Sequence, residues 1–372
     1  MASDLVDLFT ELAALPSPPG EERQVADAVT RYLRDLDLAV DEDDAGPKVD
    51  STIGNLYCRV DGTAAGTPLF FCAHLDTVPP TGPIEPVVED GVVRNAADTI
   101  LGADDKSAVA VMLEATRRVL VENRPHAGIE LLFTPKEEVG LFGAAAFDHE
   151  RLRARLGYVY DQAAPIGGVV LGAPYSHSME VRFHGRAAHS GMYPEEGRSA
   201  IAAAARAIAD LRLGRIDDET TANVGTIEGG TAGNIVPEWC TFLAEARSHD
   251  ERRLQEVVQE MLDAISFAAS LEDCTIETEM HKSYRGYRFK QDDEVVRIAH
   301  SALKRAGLEP SYGLSGGAAD ANVFNERGLS CLNLANGMQE IHTPDEHITV
   351  EDLDRMVEVT LALVDVARET DA

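Results

Sequence analysis

The chain has 372 residues, 44% hydrophobic and 26% charged, with a formal net charge of −31. That length suffices for two domains and a sizeable core, and the acid excess opposes nucleic-acid binding, which needs a basic surface. No run approaches the ~18 apolar residues of a membrane helix, and the start "MASDLVDLFTELAALPSPPGEE" is acidic where a secretory signal is basic, so a soluble, cytoplasmic protein without a membrane partner is expected.

Five cysteines, Cys58, Cys72, Cys240, Cys274 and Cys331, are odd in number and form no CxxC pair. They read as reduced core residues rather than a disulfide framework or a thiolate zinc site. Six lysines stand against 27 arginines. With so much acid, that ratio fits a salt-rich habitat, and it fits a GC-rich genome equally well.

In chain order, Leu5, Leu8, Phe9 and Leu12 mark one face of an amphipathic first helix, and "EERQVADAVTRYLRDL" keeps a helical period. "TPLFFCAHLD" is an apolar run of strand length ending in polar residues. "DKSAVAVMLEATRRVLVEN" is a helix, "GIELLFTP" a second apolar strand, and "RARLGYVYD" leads into a third. Apolar strands separated by helices predict a mostly parallel sheet covered on both faces, with function gathered at the carboxyl ends of the strands.

From about Ser178 the texture changes. "SMEVRFHG" alternates apolar and polar residues, then come a helix, the strands "ANVGTIEG" and "WCTFLAEARS", a second helix and the strand "CTIETEMHKSY". That βαββαβ order predicts a ferredoxin-like sandwich. A helix over Asp292–Ala306 and the strand "SCLNLANG" then return to the first texture. The expectation is an α/β protein whose larger domain, residues 1–177 and 288–372, is interrupted by an inserted α+β domain at 178–287.

The polar residues at the strand ends form a set. His74 and Asp76 end the first apolar strand, Asp104 and Asp105 open a helix, and Glu137 and Glu138 follow the second strand. Asp161 follows the third, and His342 sits in "EIHTPDEHI". Taken singly, each has a plain structural reading: a core histidine, an N-cap, a turn, a solvated acidic pair. Together they converge on one sheet edge as two imidazoles and at least four carboxylates, which need a cation if buried. Nitrogen and oxygen ligands suit zinc, with cobalt or manganese as substitutes. Six groups suit two ions sharing a bridging carboxylate.

These motifs resemble the di-zinc exopeptidase family of peptidase T, aminoacylase-1 and glutamate carboxypeptidase. "HLDTVP", "GADDK", the Glu137–Glu138 pair, the lone Asp161 and "HTPDE" follow in the family's order over nearly the whole chain. "GADDKSA", "SGGAADANVFNERGL" and "HTPDE" look closest to the peptidase T branch. The resemblance implies that His74 and Asp161 hold one zinc, Glu138 and His342 the other, and that Asp104 bridges both, joined to Asp105 by a cis bond. Asp76 would orient His74 through its second ring nitrogen. Glu137 would be the general base acting on a metal-bridging water.

The same resemblance makes the insert a lid and dimerisation domain. There His189 would stabilise the oxyanion of a neighbouring subunit in a homodimer, and Asn234 and Arg247 would hold the substrate's carboxylate. The plain structural reading of Arg247 is a surface ion pair and that of His189 a loop histidine. Gly316 and Gly317 read either as a close approach of backbone to substrate or as a tight turn. The implied activity is hydrolysis of short peptides by a tripeptide aminopeptidase, the alternative being an N-acyl amino acid deacylase or a carboxypeptidase. A metal-bearing scaffold and a two-metal phosphatase are the readings outside peptidase chemistry.

Overall fold

The computed structural model describes residues 2–163 and 165–370, and side chains from Leu5 onward. The chain divides into two compact units, residues 1–173 with 288–372, and residues 174–287.

The first unit is built on a mixed sheet. Its strands run Val40–Glu42, Leu56–Asp61, Gly128–Thr134, Leu69–His74, Leu156–Val159, Ser330–Leu334 and Gly168–Ala173 in spatial order. The four central strands are parallel, with Leu69–His74 flanked by Gly128–Thr134 and Leu156–Val159, and Ser330–Leu334 beyond. The expected α/β sheet is therefore present, edged by antiparallel strands at Leu56–Asp61 and Gly168–Ala173. Ser311–Leu314 adds a further parallel strand beside Gly168–Ala173.

Every residue of Leu69–His74 is buried, which explains why this strand reads as a continuous apolar run rather than an alternation. The helix Ala103–Val121 is buried almost all round, and Val350–Glu369 packs beside it, capped by the Thr349 hydroxyl on the Asp352 amide. Phe71, Phe133, Tyr158, Leu332 and Met356 share the core between sheet and helices. Each fully buried Leu or Phe contributes about 1.5–3 kcal/mol relative to exposure. Gly157 lies against Phe70, whose ring would come within 2.2 Å of an added Cβ.

A small sheet of His347–Thr349, Val92–Asn95 and Pro86–Glu89 was not expected. Its strands of three or four residues are too short to show a period of two.

The second unit is a five-stranded antiparallel sheet in the order Gly214–Asp217, Thr220–Gly229, Trp239–Ser248, Tyr175–His184, Thr275–Tyr284. The helices Ala200–Asp210 and Glu251–Leu271 cover it, Val257, Met261 and Ile265 meeting Phe183 and Phe242. This is the expected ferredoxin-like arrangement with one addition, the edge strand Gly214–Asp217, which is mostly exposed and so carries no apolar signature. Among the described residues, no helix is long and apolar enough to cross a membrane.

Candidate metal centre

The parallel register sets the strand ends side by side. His74 is the last residue of its strand and pairs with Thr134, the last of the next. Val159 pairs with Cys72, which leaves Asp161 just past the same edge. Beyond Thr134 the chain turns through Pro135 and Lys136, the latter at φ 57°, and presents Glu137 and Glu138. Asp104 and Asp105 open the helix Ala103–Val121 with non-helical backbone (φ −82°, ψ 105° and φ −116°, ψ 22°). Their peptide bond is cis, as the resemblance implies. His342 sits in a turn at φ 64°.

The side chains converge. The Asp104 carboxylate lies between the two imidazoles, Oδ1 3.3 Å from His74 Nε2 and Oδ2 3.1 Å from His342 Nε2. His342 Nε2 is also 3.0 Å from Glu138 Oε1. Two ligand-like groups share His74: His74, Asp104 and Glu138, and His74, Glu137 and Asp161, each with its atoms within 4.8 Å of one another. His74 and Asp161 fall in the second of these groups, and Glu138 lies against His342. Glu137 also stands among the ligand-like groups.

Asp76 meets both His74 and the turn beyond it. The second ring nitrogen of His74, Nδ1, lies 2.8 Å from the Asp76 backbone oxygen and 3.6 Å from its carboxylate. The carboxylate also accepts the backbone N–H of Glu137 at 2.9 Å and of Glu138 at 3.1 Å. It grips the turn that carries the acidic pair. Buried Glu22 adds a second grip, accepting the Lys136 amide at 3.2 Å and the Gly20 amide at 2.7 Å.

Three further residues were not singled out from the sequence. Glu346 accepts the amides of Leu101, Gly102 and Asp104. Lys106 is fully buried and donates to the Leu15 carbonyl. Asp320 accepts the Thr134 hydroxyl at 2.5 Å, and its other oxygen has no hydrogen-bond partner. Buried carboxylates are rare enough to stand out in a structure, yet in sequence they look like any surface acid.

The electrostatics call for positive charge. Burial works against protonation of His74, but the Asp104 and Asp76 carboxylates outweigh it and hold its pKa well above the ordinary value. Hydrogen bonds to Asp104 and Glu138 raise His342 to about 10. Burial raises Asp161, reinforced by Asp104, and raises Glu137, reinforced by Asp161. Asp105 is raised by burial too, and neither of its oxygens has a hydrogen-bond partner. The carboxylates outnumber the imidazoles, and Asp104 Oδ1 likewise lacks a hydrogen bond. Such a donor set of N and O atoms fits divalent cations.

In the second unit, His189 Nδ1 accepts the amides of Gly191 and Met192 at 3.2 Å. His189 forms an isolated bridge with Ile235, and the Asn234 carbonyl accepts the Ser190 amide, so His189 and Asn234 share one exposed corner. Arg247 lies on the strand Trp239–Ser248, with Nη2 3.0 Å from Glu245 Oε2. In the first unit, an added Cβ at Gly316 would meet open space and at Gly317 only the Ser315 hydroxyl oxygen, at 3.9 Å, so neither glycine is required by crowding.

Residues 172–271 match the peptidase dimerisation domain of the M20 type, and residues 55–175 match peptidase family M28. The chain is 38% identical to the uncharacterised Bacillus subtilis protein YqjE over 98% of both chains. It is similar to the solved aminopeptidase PepT from Bacillus cereus, at 39% identity over 99% of each chain and a TM-score of 0.89. A tripeptidase from Staphylococcus aureus shares 34% identity over 100% of this chain and 99% of that one, with a TM-score of 0.94. With these relatives spanning its whole length and this cluster at its sheet edge, the chain belongs to the M20 peptidases, in their peptidase T-like branch.

Proposed function

We propose that this peptidase is a metal-dependent aminopeptidase of short peptides, tripeptides foremost, and that it holds two divalent cations, zinc by preference. The observation that carries the reading is Asp104 between His74 and His342, with Glu138 against the same imidazole. His74, Asp104, Glu138, Asp161 and His342 would hold the cations, with Asp104 as the shared ligand. When bound, the cations supply Lewis acidity to a scissile carbonyl and to water.

Glu137 is the proton carrier. Its backbone is held by Asp76, which also holds that of Glu138. It takes the proton of the attacking water and passes it to the leaving amine. In the second unit, His189 would stabilise the oxyanion across a homodimer, while Asn234 and Arg247 hold the substrate carboxylate. The match of residues 172–271 to a dimerisation domain supports the dimer. Free, buried cysteines fit a reducing cytoplasmic setting.

The substrate reading draws on the relatives described as an aminopeptidase and a tripeptidase. Its test is a panel of tripeptides with free and acetylated N-termini, dipeptides and N-acetyl amino acids, assayed after chelation and after return of zinc, cobalt or manganese. Release of the N-terminal residue from free tripeptides, lost on chelation and restored by metal, is expected. Cleavage of N-acetyl amino acids alone would replace the aminopeptidase with a deacylase.

A further inference from the structure

The loop Leu101–Gly102–Ala103–Asp104 carries the central carboxylate of the site, yet it cannot hold itself. Gly102 is left-handed at φ 79° and Asp104 departs from helical geometry, so the turns that would satisfy its amides are not formed locally. Buried amides of this kind need an acceptor from elsewhere. Glu346 provides it from more than 240 residues away in sequence. Its side chain is 1% exposed. One carboxylate oxygen accepts from Leu101 at 2.8 Å and Gly102 at 2.7 Å, and the other accepts from Asp104 at 3.0 Å.

The backbone of Glu346 is itself anchored. Its amide donates to the Thr343 carbonyl, and the next residue, His347, opens the strand that pairs with Val92–Asn95. Four residues earlier stands His342, the imidazole that meets Asp104. One turn therefore contributes both a ring to the Asp104 carboxylate and a clamp to the Asp104 backbone.

We propose that Glu346 is a positioning residue: by binding three amides of the Leu101–Asp104 loop it sets the Asp104 carboxylate between His74 and His342 before any cation arrives. The inference rests on the reading of Asp104 as a shared metal ligand. Residues that orient ligands from outside the metal's own shell typically govern affinity by about 10–100-fold.

The test is calorimetric titration of zinc into metal-depleted wild type and Glu346→Gln, with thermal melts of both. The glutamine fills the same space but offers one carbonyl oxygen, and its NH2 faces an N–H donor, so at least one clamp bond is lost. The expected result is a melting point close to wild type, one zinc bound about 10–100-fold more weakly, and kcat reduced more than KM is changed. Unchanged zinc affinity with unchanged kcat overturns the inference, and so does a lowered melting point with unchanged zinc affinity. Wild type that takes up no zinc would instead sink the metal-centre reading itself, and the inference with it. Should Glu346→Gln fail to fold, hydrogen exchange on metal-free wild type decides. Slow exchange at Leu101, Gly102 and Asp104 supports a preset loop, and free exchange there overturns it.

Discussion

At the scale of single residues, the site sorts its acids by what each oxygen touches. Asp104 and Glu138 face imidazoles, Glu22 and Glu346 face backbone N–H groups, and Asp76 holds backbone N–H groups while lying 3.6 Å from His74 Nδ1. Glu137 stands between these classes, because its carboxylate joins His74 and Asp161 while its amide is gripped by Asp76. Glu137→Gln decides its role. We expect turnover to fall by about 10²–10⁴-fold with both cations retained in metal analysis, whereas loss of one cation would make Glu137 a ligand. His149 offers a test away from the centre. It lies edge-on to Phe147 and Phe324, and its Nε2 has no hydrogen-bond partner. Burial, reinforced by the Arg327 guanidinium, lowers its pKa from 6.5 to about 4. The folded state thus binds fewer protons than the unfolded one between those values. Its contribution is complete above the unfolded pKa and is lost as pH falls toward the folded one. His149→Phe should therefore lose less melting temperature than wild type between pH 7 and 4.5, and parallel losses would refute this.

At the scale of elements, the strands that end in candidate ligands were the legible ones. Leu69–His74 and Gly128–Thr134 are buried on both faces, so their apolar runs stand out and their polar ends mark a sheet edge. Asp104, Asp161 and His342 gain meaning only from that shared edge. The grips by Glu22, Asp76 and Glu346 were not legible, since an acid that binds a distant backbone leaves no periodic trace in either segment. The short strands Pro86–Glu89, Val92–Asn95 and Gly214–Asp217 escaped for a related reason, their few residues alternating too briefly to be distinguished from turns. Packing between elements gives a further prediction. Gly157 has no room for a methyl group beside Phe70. Gly157→Ala should cost about 1–3 kcal/mol in urea unfolding, because the ring must leave its place between strand and helix. A neutral result would mean that Phe70 moves freely.

At the scale of the whole molecule, charge dominates. A net −31 spread over one chain opposes compaction through self-repulsion. Numerous Arg–carboxylate pairs dot the surface, among them Arg305–Glu369 at 2.6 Å and Arg355–Glu351 at 2.8 Å. Exposed pairs of this kind contribute only about 0–1 kcal/mol each. Screening acts on both, with a Debye length of about 10 Å at 0.1 M salt. The long-range repulsion is the larger quantity, so the melting temperature should rise as sodium chloride increases from low millimolar to molar concentration. A monotonic fall would show that the local pairs outweigh the net charge.

The turn that holds His342 and Glu346 also bears on the order in which the cluster is made. A ribosome delivers His74, Asp104, Glu138 and Asp161 early, but the imidazole opposite and the clamp beneath arrive only after the entire inserted unit has been synthesised. A polypeptide lacking that turn lacks both the ring beside the Asp104 carboxylate and the acceptor for the Asp104 amide.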